Sequence, residues 1–365
     1  MTRDIKILLL ADSHLGFDLP LRPRVGRRRR GNDFFANYHA ALEPARRGEV
    51  DLVVHAGDVF DRSSVATSLA YQALEPLRRI AGQGVPVIIV PGNHERSRIP
   101  HVRFASHPGV HVFDEPRTFV VNVRDTRVLL AGFPYVRDNV RERFVEVLEQ
   151  TRWRETPADV RLLCIHHCVE GATVGPADFM FTTADDVIRP RDVPADFSAV
   201  LTGHIHRHQV LTHDLAGRRL DAPVLYPGSI ERTSLAEIDE PKGFMVVNVD
   251  ASARSLRWEF KRLPARPMIH RELNVDDLSV TRLEESIQTI VADAPRDAVL
   301  SIRVTGTLSR EHWSVLAASH LRRIVPDTMN IDIKPSGQFN RRSAPSTSTT
   351  ATPQLSLYEL MTASN

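Results

Sequence analysis

The chain has 365 residues, of which 42% are hydrophobic, and a formal net charge of +2. That length accommodates one large domain and a smaller one. A total charge so near neutral excludes any argument for or against nucleic acid from overall charge, so only local clustering is informative.

Two cysteines, Cys164 and Cys168, are too few for a disulfide framework and point to a reduced compartment. The opening run MTRDIKILLLAD is too short for a membrane span, lacks a cleavage pattern and leads straight into an acidic residue. The expectation is a soluble cytoplasmic protein with no membrane partner.

In chain order, the apolar run at 5–10 reads as a buried strand, and a basic, Pro-containing stretch follows at 20–30. The spacing predicts a helix over 33–48, strand then loop over 51–58, a helix over 66–82, and strand then loop over 85–94. Three short strand-like runs fill 110–133, a helix covers about 138–150, and RLLCI at 161–165 is a further strand. From 198 to 263 the chain reads mostly as strands. Together these predict two packed sheets with helices outside.

LPARP at 263–267 suggests a boundary. The expected division is a large domain over 1–263, a small α/β domain over 264–337, and a tail over 338–365. The tail begins Ser/Thr/Pro-rich and disordered in character, then ends on a short apolar segment containing Leu355, Leu357, Tyr358, Leu360 and Met361. That segment is either a docking element for a partner or an ordinary frayed terminus.

Five segments deliver Asp, Asn and His in or just after predicted strands: Asp12 to His14, Gly57 to Asp61, Gly92 to Glu95, Cys164 to His167, and Gly203 to His206. In open α/β sheets that edge is where sites are built. Asp12 and His14 are two apart, as are His204 and His206, so on extended backbone each pair faces one way. The glycines at 57, 92 and 203 allow sharp turns and close approach. Mixed carboxylate, imidazole and amide donors suit Mn²⁺, Fe or Zn²⁺ better than Ca²⁺ or Mg²⁺ alone. Asp58 is a natural bridge between two ions, because a carboxylate has two oxygens. Any one segment alone is weak; a lone D-x-H is more often a loop aspartate beside an unrelated histidine.

The set D-x-H, G-D-x-x-D, G-N-H-E, a strand-end His and G-H-x-H, over residues 4–250, resembles the calcineurin-like metallophosphoesterases. The resemblance implies a four-layer α/β/β/α sandwich with two divalent metal ions, Mn²⁺ foremost. One ion would take Asp12, His14, Asp58 and His206; the other would take Asp58, Asn93, His166 and His204. His94 would be the general acid at the leaving group. His166 is preferred over His167 because it directly ends the apolar run, leaving His167 to point the other way. Such a centre hydrolyses a phosphodiester with activated water and needs no covalent intermediate.

GDVFD, GNHE, GHIHRHQV, YPGSIERTSLAE and EPKGF further resemble the SbcD nuclease subunits of bacterial SbcCD, and the 268–335 unit resembles, more loosely, their DNA-capping domain. This implies DNA as substrate, a role in DNA repair, a homodimer, and an SbcC-like coiled-coil ATPase as partner. Some relatives carry a histidine at the position of Asp61. Arg22, Arg24, Arg27, Arg28, Arg29 and Arg30 form a loop larger than expected; it is read as a phosphate clamp, against a solvated charge run or a subunit contact. Tyr226 and Ser229, with Gly228, either line a substrate groove or form a tight turn. The alternatives to a nuclease are a small-molecule phosphodiesterase or phosphatase of the same fold, and a catalytically quiet DNA-binding or scaffold member.

Overall fold

The structure, a computed structural model, describes residues 4–19, 29–252 and 255–336. The chain runs β1 (Asp4–Leu10), α1 (Gly31–Arg46), β2 (Leu52–His55), α2 (Thr67–Gly82), β3 (Val87–Ile89), β4 (Val110–Val112), β5 (Arg117–Val123), β6 (Thr126–Gly132), α3 (Val140–Gln150) and β7 (Val160–Ile165). Four two-residue strands follow: β8 (Cys168–Val169), β9 (Thr173–Val174), β10 (Phe179–Met180) and β11 (Val187–Ile188). Then come β12 (Ala199–Thr202), β13 (Gln209–His213), β14 (Arg219–Tyr226), β15 (Gly243–Asp250) and β16 (Ser255–Arg262).

Two six-stranded sheets form, in the orders β16-β15-β1-β2-β3-β4 and β13-β14-β12-β7-β6-β5. Strands β1 to β4 are mutually parallel, and so are β14, β12, β7 and β6. Alternation along β1 explains the layering. Leu8 and Leu10 pack with Phe34, Tyr38, Leu74 and Leu77 of α1 and α2, whereas Ile5, Ile7 and Leu9 join residues of the second sheet, including Leu130, Leu162 and Leu201. On the far side Leu129, Leu163 and Val200 pack with Phe144 and Leu148 of α3. Strand segments buried on both faces must be apolar, which is why residues 7–10 of β1, 52–54 of β2 and 162–165 of β7 read as continuous hydrophobic runs, while Lys6 and Arg161 sit earlier in their strands where burial is incomplete. The result is the predicted α/β/β/α sandwich.

The described chain divides into two compact units, one of Met1–His270 with Ala294–Leu300 and Pro326–Asn330, the other of Arg271–Asp293, Ser301–Val325 and the described part of Ile331–Asn365. The division falls later than the break expected after residue 263, and two short returns rejoin the first unit. Arg266 supplies a physical reason. Its buried guanidinium donates to Asp33 Oδ2 at 2.9 Å, Asn330 Oδ1 at 2.6 Å and the carbonyls of Asp297, Ala298 and Thr328 at 2.7, 3.3 and 2.8 Å. The second unit carries most of a three-stranded sheet, β17 (Met268–Asn274), β18 (Val299–Thr305) and β19 (Asn330–Ser336), with α4 (Val280–Asp293), α5 (Arg310–Leu316) and α6 (Ala318–Ile324). Leu283, Ile287 and Val291 form the buried stripe of α4. Among the described residues no helix is long and apolar enough to cross a membrane. The tail expected at 338–365 lies outside the described residues.

Candidate metal centre

The five predicted segments leave the C-terminal ends of β1, β2, β3, β7 and β12, and their side chains converge. They do not get there by extended alternation. Asp12, His14, Asp58 and His204 have left-handed backbone, with φ of 49°, 42°, 51° and 78°. Such conformations cost of order 1–3 kcal/mol each and cluster at functional sites. Asp12 and His14, and likewise His204 and His206, therefore do not share a direction through the period of two of an extended strand. The pairs converge because sharp kinks after the strands turn them, which hydrogen bonds hold: Asp12 N–H to Gly57 O at 2.9 Å and His14 N–H to Asp58 O at 3.0 Å. Glycine is required at 57, where φ is +105° and a Cβ would overlap the His166 ring. At Gly92 a Cβ would overlap the Asp58 carboxylate.

Asp58 occupies the middle of the cluster. Its Oδ2 lies 3.2 Å from His166 Nε2 and 3.9 Å from His14 Nε2. On one side His14 Nε2 is 3.0 Å from His206 Nε2, which is 4.0 Å from Asp12 Oδ1. On the other, Asn93 Oδ1 is 3.0 Å from both His166 Nε2 and His204 Nδ1. The ligand atoms of Asp12, His14 and His206 lie within 4.8 Å of one another, as do those of Asp12, Asp58 and His166. His166 Nδ1 donates to the Ala56 carbonyl at 2.7 Å, which fixes the ring with Nε2 pointing into the cluster.

Asp12 and Asp58 are buried, at 0% and 1% exposure, where unpaired carboxylates are costly. Burial disfavours the Asp58 anion, but His166 and His14 hold its pKa well below the usual range. Burial likewise opposes charge on His166, yet Asp58 and Asp12 raise it to about 9. Burial and the charge on His166 lower His204 to about 3. Among the described residues the atoms that face one another in the cluster are imidazole, carboxylate and amide donors: His14 Nε2 with His206 Nε2, Asp58 Oδ2 with His166 Nε2, and Asn93 Oδ1 with His166 and His204. These residues fit divalent cations, and that donor mixture suits Mn²⁺, Fe or Zn²⁺.

His94 is exposed, its ring centroid 4.6 Å from that of His14. Its Nδ1 lies 2.8 Å from the Asp61 carbonyl, and its backbone N–H donates to Asp58 Oδ1 at 3.0 Å. Its ring is also within 4.8 Å of the ligand atoms of His14 and Asp58, so geometry alone permits a ligand role. His167 turns away: Nε2 accepts from Val136 N–H at 3.0 Å and the ring stacks on Tyr135.

Tyr226 and Ser229 are both 0% exposed and do not line a groove. The Tyr226 hydroxyl donates to His167 O at 3.2 Å and accepts from Val169 N–H at 2.8 Å; Ser229 Oγ donates to Glu231 O at 2.9 Å. Their chemistry is internal, bracing the loops behind the cluster. Arg22, Arg24, Arg27 and Arg28 lie outside the described residues. Arg29 pairs with Asp18 at 2.6 Å. Arg30 is turned inward, donating to the Arg232 carbonyl and lying over the Phe17 and Phe34 rings, which leaves it unsuited to a surface clamp.

Sequence reasoning missed several supporting groups. Buried Glu95 accepts from Phe60 N–H and Gly92 N–H, both at 2.8 Å, and so ties two ligand loops together. Its place directly after Gly92-Asn93-His94 was the available signal. Ser13 and His55 form a buried pair at 2.8 Å behind Asp12. Glu237 reaches His206 from the short helical turn Leu235–Glu237, 31 residues on, and the capping box it forms with Ser234 says nothing of His206.

A four-layer sandwich carrying such a cluster at its strand ends defines a class of phosphoesterase. Residues 5–208 match the calcineurin-like phosphoesterase family, and the chain belongs to it. Within the family it is similar to DNA double-strand break repair protein Mre11 of Aeropyrum pernix, 26% identical over 324 residues that span 84% of this chain and 70% of that one. It is likewise similar to Mre11 of Thermoplasma acidophilum, 24% identical over 312 residues spanning 82% and 77%. Among solved structures, TT1561 of Thermus thermophilus matches with a TM-score of 0.43 and 14% identity, over 71% of this chain and 99% of that one.

Proposed function

We propose that this chain is a metal-dependent DNA nuclease, the nuclease subunit of an SbcCD-like repair complex in the cytoplasm. The observation that carries this reading is Asp58, its carboxylate between two groups of lone-pair donors, in a family member similar to Mre11 proteins. Asp12, His14, Asp58 and His206 would hold one divalent cation, and Asp58, Asn93, His166 and His204 a second, with Mn²⁺ the foremost candidate. Bound there, the cations would supply Lewis-acid activation of water and charge neutralisation at the phosphate.

The chain's own residues do the rest. The His204 backbone N–H donates to both Asp12 carboxylate oxygens at 3.1 Å and fixes their direction. His94, oriented by the contact of its Nδ1 with the Asp61 carbonyl, would hydrogen-bond or protonate the departing sugar oxygen. Arg22, Arg24, Arg27, Arg28 and Arg29 would hold flanking backbone phosphates. The second unit would act as a DNA-capping domain, the chain as a homodimer, and a coiled-coil ATPase as its partner, all by analogy with the SbcD-type subunits.

The test is a Mn²⁺-dependent assay on linear and circular duplex beside a chromogenic phosphodiester. Cleavage of duplex supports the reading. Turnover of the small substrate alone would make the chain a small-molecule phosphodiesterase, and silence on both would make it a binding or scaffold member.

A further inference from the structure

Glu237 belongs to neither ligand group, yet it touches one of them. Its Oε1 lies 3.2 Å from His206 Nδ1 and accepts from Thr233 Oγ1 at 2.6 Å and from the Thr233 and Ser234 N–H groups at 3.2 Å. Its Oε2 lies 2.6 Å from Lys242 Nζ. Lys242 is itself buried, and its ammonium reaches the His206 carbonyl at 3.0 Å and Glu240 at 3.2 Å. A buried ammonium and a buried carboxylate are tolerated together because each satisfies the other. Both meet His206, one at its ring and one at its backbone.

A carboxylate at Nδ1 keeps the ring proton there and leaves the Nε2 lone pair facing His14 Nε2 at 3.0 Å. Among the described residues the other ligand group has no equivalent. His166 Nδ1 rests on the neutral Ala56 carbonyl, and His204 Nδ1 itself faces Asn93. An anionic partner makes an imidazole a stronger donor than a carbonyl does, and such partners are worth about 10- to 100-fold in metal affinity.

We propose that Glu237, held in place by Lys242, is a positioning residue that fixes the tautomer and donor strength of His206 and so sets the affinity of one cation only, the one shared by Asp12, His14, Asp58 and His206. The inference rests on the two-cation reading above.

The experiment is a Mn²⁺ titration of metal-free protein, read by loss of the free-ion electron paramagnetic signal. The double variant Glu237→Gln/Lys242→Met removes both charges without stranding either. Wild type should bind two ions. The double variant should bind one with unchanged affinity and the other about 10- to 100-fold more weakly. Unchanged binding of both ions, or equal weakening of both, overturns the proposal. Should the double variant fail to fold, Glu237→Asp keeps the charge, withdraws the carboxylate by one methylene, and gives the same readout. If wild type itself binds fewer than two ions, the two-cation reading falls. The ¹⁵N spectrum of the metal-free protein then decides the contact alone: a His206 Nδ1 proton unmoved by Glu237→Gln overturns the inference.

Discussion

Asp58 and His166 meet across the two sheets, Oδ2 to Nε2 at 3.2 Å. Asp58 follows β2 of the first sheet and His166 follows β7 of the second. The cluster therefore exists only while the sheets are packed, and its ligands report on that packing.

Asp58→Asn keeps the size of the side chain and removes the charge that both donor groups share. It should lower metal content below that of the wild type and reduce phosphodiester cleavage by at least about 100-fold, as loss of a group acting directly on the transition state does. Metal analysis by mass spectrometry and a cleavage assay check both. Full activity with full metal content would overturn the proposed bridging role of Asp58.

His94→Ala separates binding from chemistry. With its backbone N–H still on Asp58, the variant should retain both metal and duplex binding while turnover falls about 10²- to 10⁴-fold. A parallel drop in metal content would instead make His94 a ligand.

Gly57→Ala places a methyl group against the His166 ring at a backbone φ of +105°. The ring must move or the turn must open. Expected is loss of metal binding with the sandwich still folded, seen as reduced Mn²⁺ uptake beside an unchanged far-ultraviolet dichroism spectrum. Wild-type uptake would show that the turn has more freedom than its contacts suggest.

Arg266→Met tests the first unit rather than the site. It takes one donor from five acceptors, among them the buried Asp33 carboxylate. Breaking a buried ion pair from one side costs about 3–5 kcal/mol. The urea midpoint should fall accordingly, and an unchanged midpoint would mean that 294–300 and 326–330 are held by other contacts.

The sequence by itself determined the strand-then-loop order and the placement of Asp12, His14, Asp58, Asn93, His166, His204 and His206 just beyond strand ends. It did so because a strand buried on both faces must be continuously apolar, so the first polar residues after it mark the sheet edge. Only the tertiary structure decided how the ligands aim. A period of two gives the side of an extended strand, whereas left-handed kinks at Asp12, His14, Asp58 and His204 override it. Burial decided against Tyr226 and Ser229 as surface groups, and the contacts of half-buried Arg30 with the Arg232 carbonyl and the Phe17 and Phe34 rings decided against it, since a P-G turn or a basic run reads the same whether it faces water or the core. Glu237 beside His206, and Arg266 beside Asp33, are separated by 31 and 233 residues. No local spacing encodes such pairs, because it is the packing of distant segments that removes both partners from water and makes each require the other.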